Sequence, residues 1–447
     1  MLKYDDKMTE NKGLLRNIAS LGVVQVANYI FPLITVPLIS RIIGPDKFGV
    51  INYASAFVAY FTLIIGYGFD LTATRRISKD PNNIDLRNRV FSEVFTTQIV
   101  LFAISIFLFL GCIFIIPPIR AEKLVAIFTF LVCISTVFTQ NWLFQAMQDL
   151  PKIAWLNFIT KLFFTFTVLL VIKEKQDYIW QPLIASLIQI FVGLISFFWA
   201  YNKYQLRLIS ISIEDVWQLL KNERTVFFSM VVISLYTTTN IVILGIMQNE
   251  TQVGFYSAGQ RLMDIARSVI SMPLAMALFP FIGKAFGESF EKGLLMVHKI
   301  LPIIVLFTGL MGIGMLIFGP MALRFFYGKK FEPAIPVFQI LAFIPMIIAL
   351  SNVFGIQIMM NLKMDKLFFK ITASGAILSV LLNILLIKKY GYIGTAIDWL
   401  ITEIFITLAM YIALRNNGIN PIGIDRFNIL TIKEQVSPIL NKMFGKK

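Results

Sequence analysis

Charge is what this 447-residue chain has least of. Only 15% of its residues are Asp, Glu, Lys or Arg, while 57% are hydrophobic and the mean hydropathy is +0.77. A soluble domain is usually about a quarter charged, so a soluble fold is excluded once the apolar residues are seen to cluster, and they do. Cysteine is scarce: Cys112 and Cys133 each lie inside an apolar run, which excludes a disulfide framework and a thiolate metal site. The single histidine, His298, excludes a His-based metal site. There is no Walker A sequence and no paired-carboxylate loop, and no polar loop is long enough to form a soluble catalytic domain. An ATPase or glycosyltransferase activity has nowhere to sit, so the chain is expected not to be an enzyme and to need no cofactor. The short apolar core of a cleavable signal peptide is missing too, because the polar N-terminus leads into an apolar run too long for one.

What is present is a series of continuous apolar runs of about twenty residues, the length of a membrane-spanning helix. They lack the ten-residue alternation of a barrel strand. About twelve spans are expected, at 17–40, 48–67, 92–116, 124–145, 153–172, 180–201, 226–246, 256–281, 295–319, 334–358, 368–387 and 394–414. The net charge of +15 resides mainly in the connections. Lys and Arg fall in a ratio of roughly two to one on alternating sides, heavier on the side that holds both termini, which the positive-inside rule makes the cytoplasm. The charge therefore reads as topology rather than as nucleic-acid binding. The expected organisation is a cytoplasmic N-terminus (1–16), a six-helix bundle (17–201), a cytoplasmic linker (202–224), a second six-helix bundle (225–414) and a cytoplasmic tail (415–447).

An internal repeat supports two halves. Residues 145–178 align without a gap to 357–390, with Gln145/Gln357, Thr160/Thr372 and Tyr178/Tyr390 among the identities. Gly49 with Tyr53-Ala54-Ser55 likewise faces Gly254 with Tyr256-Ser257-Ala258. The fold class is thus an all-α integral membrane protein of two six-helix pseudo-repeats around a central cavity. Transporters built from repeats place the substrate between the halves and rock one against the other. Pro32, Pro37, Pro273, Pro280, Pro336 and Pro345 interrupt spans, as packing kinks or as hinges for alternating access.

Polar groups inside a span are costly and mark a cavity or a partner. On the eighth span Arg261, Asp264, Arg267 (or Ser268) and Ser271 recur on one net-positive face. It reads as an anion site, with a structural Arg–Asp–Arg cluster as the alternative. On the fifth span Asn157, Lys161 and Thr165 share a face, and Lys161 lies some ~12 Å inside at helical rise. Asn141, Gln145 and Gln148 share a face of the fourth span, and Gln357 and Asn361 occupy related places in the tenth. Such amides hydrogen-bond sugar hydroxyls or hold helices together. Among the acids, Glu93 starts the third span, while Asp398 and Glu403 lie on different faces of the twelfth. Glu403, the deeper, and Asp264 are the expected positions for coupling to a proton or sodium gradient. A salt bridge from Glu403 to Lys161 or Arg267 is the alternative.

The stretches NIASLGVVQVANYIFPLITVPLISRIIGPDKFG (17–49), YASAFVAYF (53–61), YGFDLTATRRIS (67–78) and NWLFQAMQD (141–149) carry a resemblance. The chain resembles the Wzx-type O-antigen and capsule-repeat flippases of the multidrug/oligosaccharidyl-lipid/polysaccharide exporter superfamily, over essentially its whole length. The resemblance implies transport of undecaprenyl-diphosphate-linked oligosaccharide from the inner to the outer leaflet of the bacterial cytoplasmic membrane, for surface polysaccharide such as lipopolysaccharide or capsule. It implies as partners the lipid-linked oligosaccharide, membrane lipids, a polysaccharide polymerase and other assembly proteins, and no nucleic acid. It marks Arg41, Asp70, Arg75 and Arg76 as motif positions. Arg75 and Arg76 are expected at inner-leaflet headgroups, and Arg41 at an outer gate. The expected substrate-binding set is Arg41, Gln145, Asn157, Lys161, Arg261, Arg267 and Gln357, because a diphosphate needs Lys or Arg partners. Three alternatives stay open. One is a multidrug cation antiporter, although residues 17–40 hold no acid. The others are a lipid II flippase and a membrane assembly factor without transport activity.

Overall fold

The computed structural model describes residues 2–423, 426 and 427, the side chains of 2–30, 32, 150, 269–278 and 280 excepted. Ser271, Pro32, Pro273 and Pro280 therefore have side chains outside the described residues, and the expected tail lies outside them from residue 428 onward.

Among the described residues every regular element is helical. The first unit begins with α1 (Leu2–Gly66), α2 (Phe69–Ser78), α3 (Ile84–Ile115) and α4 (Pro117–Ala121). It continues through α5 (Lys123–Phe130), α6 (Val132–Phe138), α7 (Asn141–Ala146), α8 (Leu150–Val171) and α9 (Trp180–Lys203). There follow α10 (Ile213–Thr237), α11 (Thr239–Met247), α12 (Glu250–Glu288) and α13 (Phe290–Tyr327). The chain closes with α14 (Ile335–Ile340), α15 (Ile344–Asn352), a π-helical stretch Val353–Met360, α16 (Asp365–Tyr390) and α17 (Tyr392–Asn416).

The expected Gly44-Pro45-Asp46 turn is a break inside α1. Gly44 has φ 80° and ψ 170°, a backbone that glycine adopts at no steric cost. Pro45 then opens the next helical segment, where its missing N–H leaves no bond unmade.

Nine segments are long and apolar enough to cross a bilayer among the described residues, or up to ten if the bent pair α10–α11 is one span. They match the expected spans except 17–40, whose side chains are largely outside the described residues, and 256–281, which falls within α12 and is outside them at its centre.

Two expected spans are not continuous α-helices. Span 124–145 is split into α5, α6 and α7, with extended backbone at Thr139. Span 334–358 keeps a helical backbone but changes its winding, from α14 through a 3-10 turn Leu341–Phe343 and α15 into the π-helical stretch. These are the fourth span of each half. In both, the exit is the same turn. The amide of Asp149 donates to the carbonyl of Phe144 at 2.8 Å, and that of Met364 to Met359 at 2.8 Å, just after Gln148 and Lys363 adopt positive φ. Irregular backbone at membrane depth is tolerated only where protein or a water-filled cavity satisfies its polar groups.

The chain divides into two compact units, Met1–Ser234 with Asn249–Gly254, and Leu235–Gln248 with Phe255–Lys447. In the first, Phe69, Phe91, Trp142, Leu143, Phe144 and Phe197 form the centre of the core. Helices in lipid gain little from leaving water, so packing and hydrogen bonds must hold them. Rings supply part of that: Phe197 lies 5.5 Å from Phe91 and 5.0 Å from Phe95, contacts worth about 0.5–1.5 kcal/mol each. Polar clamps close the unit at two ends. Near the Gly44 break, Lys47 Nζ donates to Glu122 at 2.7 Å and to the Tyr178 hydroxyl at 3.2 Å. At the other end, buried Glu93 receives Arg76 at 2.6 Å and Arg89 at 2.9 Å. There Asn88 and Ser92 also accept the Arg207 and Ile209 amides.

Gly49 and Gly254, which the repeat pairs in sequence, are in direct contact in the first unit. A methyl group on Gly49 would lie 1.8 Å from the Glu250 carbonyl oxygen, and one on Gly254 would lie 2.0 Å from that of Pro45. The second unit packs around Leu301, Ile304, Phe354, Ile358, Met359 and Leu414. There His298, expected at a membrane interface, pairs through Nε2 with the Asn420 carbonyl at 2.8 Å.

Candidate functional site

The break in the fourth span opens polar space inside the first unit. At Gln140 the helix is interrupted, and its amide donates instead to the buried Ser196 hydroxyl of α9 at 3.0 Å. α2 braces the far side, where the Thr74 hydroxyl donates to the Trp142 carbonyl at 2.9 Å. Next to the break lies a cavity of about 230 Å³, lined by Asp70, Gln98, Asn141, Trp142 and Gln189 among others. A second cavity, of about 440 Å³, shares Ser135, Thr136 and Gln189 with it and extends to Ser55, Thr62 and Gln181. Their linings mix hydroxyls and amides with apolar groups such as Phe69, Val58, Val132 and Pro182, and Asp70 is the charged residue.

The second unit holds a different arrangement. Asp398 of α17 is fully buried and accepts from Ser379 at 2.9 Å and, more weakly, from Thr402 at 3.5 Å. Asn383, one turn along α16 from Ser379, donates to Asn240 of α11 at 3.0 Å. Three helices thus meet around one carboxylate that, among the described residues, has no ion-pair partner. Asn383 Oδ1 and Thr395 Oγ1 in the same region have no hydrogen-bond partner among the described residues. Unpaired buried polar atoms cost roughly 1–3 kcal/mol each, so the cluster is held against its own desolvation.

The expected site residues distribute as follows. In the first unit Asp70 lines the smaller cavity, while Gln145 is exposed beyond the α7 break. Arg41 is exposed, and Asn157 and Lys161 are half-buried on α8. Further along that face, Thr165 meets Thr35 of α1 at 2.7 Å. Arg76 is committed to Glu93, and Arg75 is exposed beside it. In the second unit Asp264 and Arg267 stand 3.6 Å apart, with Arg261 also acting on Asp264. Buried Glu403 accepts from Trp399 at 3.4 Å and lies in the field of Arg267. Gln357 is buried in the π-helical stretch, one turn from Asn361, whose side chain donates to its carbonyl at 2.8 Å.

Sequence reasoning passed over Gln98, Gln189 and the Asp398 cluster. The signal was present as lone polar residues at four-residue spacing in apolar helices, Ser379 with Asn383 and Asp398 with Thr402.

A family model of polysaccharide biosynthesis proteins matches residues 14–286, more than half of the chain. The chain belongs to the polysaccharide biosynthesis protein family. Relatives in this family extend the match to nearly full length. A protein of Escherichia coli (strain K12) assigned as an O-antigen transporter is 29% identical over 92% of this chain and 99% of its own. One of Shigella dysenteriae with the same assignment is 26% identical over 90% and 100%. Among solved structures, the lipid II flippase MurJ in an inward closed conformation matches with a TM-score of 0.73 at 13% identity, covering 97% of this chain and 93% of MurJ. An inward-facing multidrug resistance MATE family transporter of the MOP superfamily matches with a TM-score of 0.69 at 12% identity, covering 90% and 98%. The fold is therefore the one these transporters share. This family member is a multi-pass membrane protein of the flippase and transporter type, and not an enzyme.

Proposed function

We propose that the protein moves undecaprenyl-diphosphate-linked oligosaccharide repeat units from the inner to the outer leaflet of a bacterial cytoplasmic membrane by alternating access, with both termini in the cytoplasm. The observation that carries this reading is the irregularity of corresponding spans in the two units, the fourth broken at Thr139 and the tenth passing through 3-10 and π-helical turns. Interrupted helices at matching places in repeats point to where a transporter binds its substrate. Relatives assigned as O-antigen transporters support the substrate class. The two-to-one bias of Lys and Arg supports the orientation.

In this reading Arg41, Lys161, Arg261 and Arg267 serve the diphosphate. Guanidinium groups suit that task because their planar fork takes two phosphate oxygens at once. Gln145, Asn157 and Gln357 serve the sugar, and Arg75 meets headgroups. A polysaccharide polymerase and other assembly proteins receive or follow the product. Coupling to a proton or sodium gradient falls to Glu403 and Asp264, and the buried Asp398 joins them. Its carboxylate faces only neutral partners, so a bound proton or cation would neutralise it where no side chain does.

The test is the double variant Arg261→Ala with Arg267→Ala, made in the native host. It is expected to abolish surface polysaccharide while the protein remains in the membrane at its normal level. Full polysaccharide export by that variant would overturn the cationic site.

A further inference from the structure

We propose that the two adjoining cavities of the first unit form a neutral subsite that holds a sugar of the transported glycan, apart from the cationic residues that would meet its diphosphate. The inference rests on the flippase reading and adds to it where the glycan is bound.

Four observations carry it. The first is unpaired bonding capacity in side chains that line the smaller cavity. Gln98 is 4% exposed and Trp142 1% exposed, yet Gln98 Oε1 and Trp142 Nε1 have no hydrogen-bond partner among the described residues. One is an acceptor and the other a donor. A sugar hydroxyl is both, so a ring carrying several hydroxyls offers each side chain the partner it lacks once that side chain turns toward it. An acyl chain would leave both unpaired, at roughly 1–3 kcal/mol each.

The second is charge. Among the described residues neither cavity is lined by Lys or Arg, and Asp70 stands at the smaller one. A carboxylate repels a diphosphate, but it accepts hydrogen bonds from sugar hydroxyls. The site is thus selected against the headgroup and in favour of the glycan.

The third is chemistry along the path. Ser55, Thr62, Ser135, Thr136, Gln181 and Gln189 carry hydroxyls and amides through the larger cavity, interleaved with apolar Val58, Ala59, Val132, Pro182 and Ala185. Gln181 and Gln189 lie eight residues apart on α9, about 12 Å at helical rise. Groups that donate and accept at such intervals suit a chain of hydroxyl-bearing rings.

The fourth is room. The larger cavity, at about 440 Å³, lies within the roughly 300–1,000 Å³ range of small-molecule sites. Its side-chain amides can rotate to present either oxygen or nitrogen, which fits a site that meets several hydroxyls.

The experiment measures binding to the full-length protein in detergent, with undecaprenyl diphosphate and undecaprenyl-diphosphate-N-acetylglucosamine as the two probes. The wild-type protein is expected to bind the sugar-bearing lipid at least tenfold more tightly. In Gln98→Leu and Gln189→Leu that ratio is expected to fall to near one. Gln189 is exposed to the cavity, so its replacement leaves the core packing in place. Equal affinity of the wild type for both lipids overturns the sugar subsite while leaving the diphosphate reading standing. A preference that survives in both variants overturns the placement in these cavities. Binding of neither lipid overturns the flippase reading and the subsite with it.

Discussion

At the scale of single residues, buried charge separates structural from functional groups. Glu93 is 7% exposed and holds two guanidinium groups at the end of α2 and the start of α3. Arg89 is mostly exposed, so its share is small. The bond to half-buried Arg76 dominates. Glu93→Gln is expected to destabilise the protein by roughly 1–3 kcal/mol, read as a lower unfolding temperature in detergent. No change in that temperature would make the pair ornamental. Asp398 differs because its partners are neutral. Under the coupling proposal, Asp398→Asn should remove the dependence of transport on an imposed proton or sodium gradient, measured in proteoliposomes. Unchanged dependence would return the role to Glu403 or Asp264. The sequence made Glu403 prominent because depth in a span can be counted along the chain. Asp398 draws its partners from α11 and α16, and no count along α17 reveals them.

At the scale of elements, hydropathy located the spans and missed their breaks. The tenth span carries Pro336 and Pro345, and its irregular winding was readable. The fourth has neither proline nor glycine between 124 and 145, and its interruption comes from tertiary bonds. Ser196 is one of them. Ser196→Ala would leave the Gln140 amide buried and unpaired, at a cost of roughly 1–3 kcal/mol. The expected outcome is a lower unfolding temperature together with faster amide exchange at 139–142. Exchange as slow as in the wild type would show that Ser196 does not hold the break. The face of α8 with Asn157, Lys161 and Thr165 was legible as a polar stripe. Its meeting with α1 through Thr35 was not, because 130 residues separate the two threonines.

At the scale of the whole molecule, composition was enough for a membrane-embedded class, run length for helices, and the internal repeat for two related halves. The proposed orientation follows from where Lys and Arg lie, and it can be checked directly. With Cys112 and Cys133 replaced by alanine, a single cysteine at Lys79 should react with an impermeant maleimide only from the cytoplasmic side. One at Lys329 should react only from outside. Labelling of both from one side, or the reverse pattern, would overturn the topology drawn from charge.

The contact between Gly49 and Gly254 has a consequence for how such a gene can change. The two codons lie some two hundred positions apart in segments that the internal repeat pairs, yet each residue sits against the other's backbone neighbourhood. The smallest alternative side chain is blocked at both positions by a peptide oxygen, which cannot turn aside as a side chain would. Neither position therefore offers a viable first step, and relieving one leaves the other closed. In a saturating mutational scan these would appear as two glycine-only columns far apart in the reading frame, in a protein whose surrounding apolar positions exchange freely among themselves.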